Sequence, residues 1–133
     1  MQTFNQIKRN IKYAQEYSKA IKLSLLGDTA TQFLSIALQG TAIERGYKLD
    51  LFEAAYNQVE RQVMDPTSEL HTHQAKYTVI FQSTHKLLEH FSMSNPDNRV
   101  ALADERIAFL RNACENIQGK VICFNYPEIE FSL

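Results

Sequence analysis

One sequence feature constrains the fold of this chain most. It is a short apolar segment that stops at a Gly-Asp pair and is followed directly by a helical pattern. Residues 21–26 are rich in aliphatic side chains and Gly27 ends them, as is typical of a buried strand. Thr29 and Gln32 have the spacing of a capping box, so a helix is expected to begin there. A strand followed at once by a helix is the first half of a βαβ unit. Residues 27–29 are therefore expected at the carboxyl edge of a sheet, where ligands bind.

The same alternation of strand and helix continues along the chain. Further strands are predicted at residues 47–53, 77–81 and 121–124, and helices at residues 3–18, 30–46, 57–64, 85–91 and 96–119. Such alternation favours an α/β fold, a three-layer α/β/α sandwich of flavodoxin-like type with a mostly parallel four-stranded sheet. Right-handed crossovers favour the strand order 2-1-3-4.

Local sequence patterns predict two helix starts and one buried helix face. Thr3 and Gln6 form a second possible capping box, and Asn95 followed by Pro96 is a strong helix start. The last helix is predicted to bury one regularly spaced apolar stripe, formed by Val100, Ala103, Ile107, Leu110, Cys114 and Ile117.

The two cysteines, Cys114 and Cys123, fall in apolar patterns and are predicted to be reduced core residues of a cytoplasmic protein.

Length and charge narrow the class of protein. The 133 residues suit one domain, and the net charge of −1 gives no electrostatic reason to expect a nucleic acid or an anionic membrane as partner. No apolar segment approaches the length of a membrane span, and the first residues are too polar for a signal peptide. The chain is therefore expected to be a single globular domain of residues 1–133.

The loops that follow the four strands supply the candidate site. Parallel strands place their carboxyl ends at one edge, so the loops should converge there. They comprise Gly27-Asp28-Thr29, the segment from Glu53 to Asn57, the segment from Gln82 to Thr84, and Asn125-Tyr126. His71 and His73 are predicted to lie in a polar loop without a third metal ligand, and neither a metal nor another cofactor is predicted.

The strand that ends in Gly27-Asp28-Thr29 resembles the first motif of the SGNH hydrolases, in which a serine after Gly-Asp is the nucleophile. A longer series of motifs resembles the N-terminal, SGNH-like domain of FkbH-like proteins over residues 20–129. These motifs are Leu26-Gly27-Asp28-Thr29-Ala30-Thr31-Gln32, Glu53-Ala54-Ala55-Tyr56-Asn57-Gln58, Asp65-Pro66-Thr67-Ser68-Glu69-Leu70 and Phe124-Asn125-Tyr126-Pro127-Glu128.

The resemblance implies a function, but the sequence differs from the motifs of these families at several positions. FkbH-like proteins carry this domain ahead of a phosphatase-like domain of the haloacid dehalogenase class. The better understood members load a glyceryl unit from a phosphoglycerate onto an acyl carrier protein. The phosphatase signature Asp-x-Asp-x-Thr does not occur in the 133 residues, and neither does the Asp-x-x-His of SGNH hydrolases. Thr29 replaces the expected serine, and Ala54-Ala55 and Gln82-Ser83-Thr84-His85 replace two further SGNH motifs.

Three hypotheses follow from these observations. The first is a non-catalytic recognition domain of an FkbH-like protein, which holds an acyl or glyceryl carrier substrate for a C-terminal catalytic domain. The second is an esterase or acyl hydrolase with Thr29 as nucleophile, Asp28 as orienting group and His85 as base. The third is an oligomerisation module in which the last strand pairs with its copy in a homodimer. The predicted substrate-binding residues are Gly27, Glu53, Tyr56, Asn57, Ser83, Thr84 and Asn125.

Overall fold

A computed structural model describes residues 2–13 and 20–128 of the chain. Its strands are β1 (Ala20–Gly27), β2 (Lys48–Glu53), β3 (Tyr77–Phe81) and β4 (Lys120–Cys123). Its helices are α1 (Phe4–Tyr13), α2 (Gln32–Glu44), α3 (Val59–Met64), α4 (Glu69–His73), α5 (Thr84–Met93), α6 (Pro96–Arg99) and α7 (Leu102–Asn116). The predicted strands are confirmed to within one residue at each end.

The four strands form one parallel sheet in the order β2-β1-β3-β4, which confirms the predicted order. Leu25 of β1 lies between Glu53 of β2 and Val79 of β3, and Val79 in turn pairs with Ile122 of β4. All carboxyl ends therefore point to the same edge. This edge contains Asp28 and the loops that follow β2, β3 and β4.

Helices cover both faces of the sheet and give the predicted sandwich. On one face, Leu34 and Leu38 of α2 pack against a buried cluster of Leu23, Leu25 and Val79. On the other face, residues of α3, α4 and α7 pack around Leu26 and Ile80 in a larger cluster that includes Val59, Val63, Leu70, Ala113 and Ile117. Leu25, Leu26 and Ile80 expose 1% of their surface or less, so the centre of the sheet is the core of the domain.

Two predicted helix starts are confirmed. Thr3 N–H donates to the Gln6 side chain at 2.7 Å, and Gln6 N–H donates back to the Thr3 hydroxyl at 3.4 Å. Asn95 caps α6 by accepting from Asp97 N–H at 3.3 Å. The predicted continuation of the first helix to residue 18 lies outside the described residues.

The predicted start of α2 at Thr29 is wrong. The helix begins at Gln32, its N-cap is Thr31, and no side-chain hydrogen bond caps it. The Thr31 hydroxyl instead donates to the Glu53 carboxylate at 2.5 Å, so it ties the end of β1 to the end of β2. A contact between residues 22 positions apart replaces the local capping box.

The predicted core stripe of the last helix is also wrong for most of its members. Val100 and Ile107 are 87% and 49% exposed, and the helix is interrupted before it restarts at Leu102. Of the predicted stripe, Ile117 is buried as expected, and it joins the core cluster together with Ala113 and the partly buried Phe109; Leu102 is also buried. Cys114 of this helix and Cys123 of β4 were both predicted to lie in the core, but both are free and exposed.

His71 and His73, predicted to lie in a polar loop, belong to the short helix α4. His71 and His73 are partly buried there, and each contacts a backbone carbonyl of another element at 3.1 Å. None of the helices within residues 2–13 and 20–128 combines the length and apolar character that a bilayer crossing requires.

Candidate functional site

Gly27 ends β1 where the chain turns closely past its neighbours. A Cβ atom at this position would lie 2.4 Å from the Thr31 side chain and 3.5 Å from the Phe81 carbonyl oxygen. Asp28 N–H donates to that same carbonyl at 3.2 Å, so β1 and β3 remain joined up to this point. The lack of a side chain at Gly27 thus lets the chain place Asp28 at the carboxyl edge of the sheet.

The carboxylate of Asp28 is fixed by the backbone of the neighbouring loop. Both of its oxygens accept from Ser83 N–H, at 2.9 and 3.0 Å. The Ser83 hydroxyl meanwhile caps α5 by accepting from Lys86 N–H at 3.2 Å. Burial raises the pKa of Asp28 above its ordinary value, and the bond from Ser83 opposes this shift. The Ser83 hydrogen bonds therefore fix the carboxylate as an acceptor, and burial makes its ionised form less favourable than in water.

A cavity of about 490 Å³ opens beside Asp28 at the carboxyl edge. Its volume falls in the range of small-molecule sites. One part of its wall is apolar and consists of Val59, Leu87 and Met93. The other part carries hydrogen-bonding groups from Asp28, Asn57, Gln82 and Tyr126. The Tyr126 hydroxyl donates to the Gln82 side chain at 3.3 Å, and burial raises its pKa.

The remaining charged groups of the cavity wall occur as ion pairs. Arg106 Nη2 lies 2.8 Å from a Glu60 carboxylate oxygen, and Lys86 Nζ lies 2.9 Å from a Glu89 oxygen. The hydrogen bond to Glu89 raises the pKa of Lys86. The Arg106 guanidinium also lies over the Phe109 ring, 5.4 Å from its centre. Each cation thus has one carboxylate partner, while the buried Nε atom of Arg106 has no hydrogen-bond partner among the described residues.

The predicted catalytic residues do not gather around this cavity. Asp28 lines it, whereas Thr29 and His85 are absent from its wall and His85 is exposed. Their assignment as nucleophile and base remains a prediction.

The predicted substrate-binding residues have mixed positions. Asn57 lines the cavity, in a left-handed backbone conformation with φ of 55°. Glu53 accepts from Thr31, Ser83 holds Asp28, and the Thr84 hydroxyl donates to the Pro127 carbonyl at 3.3 Å. Gly27 is buried, while Tyr56 and Asn125 are exposed and lie outside the cavity wall.

One face of α5 lines the cavity, although no sequence motif indicated it. Its members Lys86, Glu89, His90 and Met93 follow each other at spacings of three, one and three. That spacing places side chains on a single helix face, and this helix buries none of its residues. A mixed charged and apolar face just after a strand end was the signal that could have identified it.

The raised pKa of Asp28 makes a testable prediction about stability. Asp28 should titrate at its ordinary pKa of 3.8 in the unfolded chain and at a higher pKa in the folded protein. As the pH rises through this window, the free energy of unfolding of the wild type should fall relative to that of Asp28→Asn. The unfolded chain releases this proton first, so ionisation favours unfolding in that window. Urea unfolding of both proteins between about pH 3.5 and 7 measures the difference. A wild type that gains stability over the variant would mean that the Ser83 bonds outweigh burial.

Comparison with known proteins places this geometry in a family. The family model described as the FkbH N-terminal domain matches residues 22–133. The structure is similar to a crystal structure described as the N-terminal part of the Bacteroides fragilis protein BF1531, containing a phosphatase domain complexed with Mg. The identity is 51% and the TM-score 0.91, over 98% of this chain and 35% of that chain. No curated protein matches the sequence. The chain therefore belongs to the family of FkbH N-terminal domains.

Proposed function

We propose that this domain binds the acyl group of a carrier-protein substrate, with a glyceryl unit as the first candidate, and presents it to a phosphatase-type catalytic domain. Membership of the FkbH family supports the class of substrate. The neighbouring B. fragilis protein supports the kind of partner, since its description includes a phosphatase domain. This chain spans 35% of the crystallised chain, which is itself described as the N-terminal part of that protein.

The cavity beside Asp28 is the observation that carries the proposal. Its fixed carboxylate and the polar groups of Gln82 and Tyr126 can accept from and donate to substrate hydroxyls. The apolar wall of Leu87 and Met93 offers a path for the aliphatic part of a carrier arm. A small hydroxylated acyl thioester has this combination of groups.

The described residues of this cavity do not bring the predicted nucleophile and base together, so the domain alone is not expected to hydrolyse an ester. A threonine hydroxyl needs a base within hydrogen-bond reach, and Thr29 and His85 do not meet in the cavity. We therefore expect no turnover of a p-nitrophenyl ester by this chain. Activity that disappears in Thr29→Ala would instead support the SGNH-type hydrolase.

Calorimetric titration with the glyceryl thioester of N-acetylcysteamine, and then with glyceryl-loaded acyl carrier protein, tests binding. Tyr126→Phe keeps the ring but removes the hydroxyl that points towards Gln82. We expect it to weaken binding of the thioester by about 3- to 10-fold, the value of one hydrogen bond.

The matched control is His85→Gln, a change at an exposed position outside the cavity wall. It should bind as the wild type does. If the wild type binds neither probe, with or without a phosphatase-type domain present, the proposed function is wrong.

A further inference from the structure

We propose that Arg106 binds the carbonyl oxygen of the acyl group, while Asp28 accepts from a hydroxyl of the same ligand. This inference rests on the proposed function, and it adds the residue that determines ligand choice and the direction in which the ligand lies. The observation behind it is a buried hydrogen-bond donor. The Nε atom of Arg106, a residue of the cavity wall, has no acceptor among the described residues.

Two contacts hold the Arg106 guanidinium in one position. Its Nη2 atom donates to Glu60 at 2.8 Å, and its centre lies 5.4 Å from the centre of the Phe109 ring. Glu60 occupies only that one nitrogen, and the Nε atom is closed to solvent. A buried donor without an acceptor costs free energy. A ligand oxygen in the cavity would supply the acceptor that the described protein groups do not.

Groups of opposite hydrogen-bonding character therefore lie in the wall of one cavity. Asp28, at the end of β1, is an acceptor whose two oxygens are fixed by Ser83 N–H. Arg106, on α7, is a donor. Burial raises the pKa of Tyr126, and the charge of Arg106 opposes this shift, so the guanidinium lies near the Tyr126 hydroxyl. A ligand with adjacent hydroxyl and carbonyl groups can bond to both sides at once.

A carrier-bound acyl group contains two kinds of neutral acceptor oxygen, the thioester carbonyl and the amide carbonyls of the carrier arm. The thioester carbonyl is adjacent to the hydroxylated carbons, so it can reach Arg106 while a hydroxyl contacts Asp28 in the cavity of about 490 Å³. The apolar wall of Leu87 and Met93 then remains for the arm. We therefore assign the thioester carbonyl, and not an amide carbonyl, to Arg106.

Two probes that differ only at this carbonyl test the assignment. They are the glyceryl thioester of N-acetylcysteamine and the thioether in which a methylene replaces the thioester carbonyl, and both retain the hydroxyls and the amide. In calorimetric titration we expect the thioester to bind at least about tenfold more tightly, the effect of one hydrogen bond to a charged group. Equal affinities would overturn the assignment but leave the proposed function standing. Binding of neither probe would overturn both.

Arg106→Met keeps an unbranched side chain beside the Phe109 ring but removes every N–H donor. It should lower the preference for the thioester to within about twofold, because it loses the bond that only this probe makes. A merely structural defect would weaken both probes alike, and circular dichroism melting reports on the fold. The matched control is Arg111→Met, a change at an exposed position of the same helix outside the cavity wall, and it should keep the wild-type preference. A preference that persists in Arg106→Met would overturn the role of Arg106.

Discussion

Gly119→Ala should destabilise the domain by about 2–5 kcal/mol, the sum of a left-handed backbone and a steric clash. Gly119 has a φ of 91°, which disfavours any residue with a Cβ atom. That Cβ would lie 2.5 Å from the Ala75 carbonyl oxygen and 2.7 Å from that of Lys76. The Lys76 carbonyl also accepts from Lys120 N–H at 3.0 Å where β4 begins, so relief of the clash would disturb the sheet. Urea unfolding measures the loss.

Gly46→Ala is the matched control. Gly46 also has a positive φ, 79°, but a Cβ there would meet no atom within 4 Å. We expect a loss of only about 1–2 kcal/mol, the backbone cost alone. Equal losses at Gly46 and Gly119 would mean that the close approach at Gly119 does not matter.

Leu26→Ala should cost about 2–5 kcal/mol, because it leaves a cavity in the larger core cluster. Leu26 is fully buried, with 0% exposure, and packs with Ile80 and residues of α3 and α7. It directly precedes Gly27 and Asp28, so the loss of packing should also weaken ligand binding. Thermal and urea unfolding measure the change in stability.

Val100→Ala serves as the control for truncation of an aliphatic side chain. Val100 is 87% exposed, so we expect a change within about 0.5 kcal/mol. A large loss at Val100 would contradict the assignment of the buried face of the last helix.

The strand pattern was readable from the sequence because β1, β3 and β4 contain short apolar segments, while β2 alternates apolar and charged residues. Segments such as 77–81 are rich in β-branched and aromatic residues, and the structure places β3 on those residues. The crossover rule left few strand orders, and the one predicted among them is the one observed. These features depend on local composition and chain handedness, which a single sequence contains.

The last helix shows where such reasoning stops. Two stripes of similar spacing compete on it, and the buried one contains Arg106 between Leu102 and Phe109. A charged residue argues against burial in a sequence pattern. In the fold, Arg106 covers the Phe109 ring and its head group reaches Glu60, 46 residues away. Only the tertiary partner decides between the two faces.

The site was predictable at its strand ends but not in its helical wall. Asp28 and Asn57 were identified because loops after parallel strands converge. Arg106 was missed because its partner Glu60 lies 46 residues away, beyond the reach of motif matching. Contacts between charged residues far apart in the chain emerge only from the packed structure.

Chemical-shift mapping tests the central claim that the cavity beside Asp28 is the binding site. The glyceryl thioester of N-acetylcysteamine would be titrated into ¹⁵N-labelled protein. We predict shifts concentrated at Asp28, Gln82, Lys86 and Tyr126, with the far end of α2 near Gly46 unchanged. Shifts centred elsewhere, such as on the cleft around Arg61 and His73, would contradict the account.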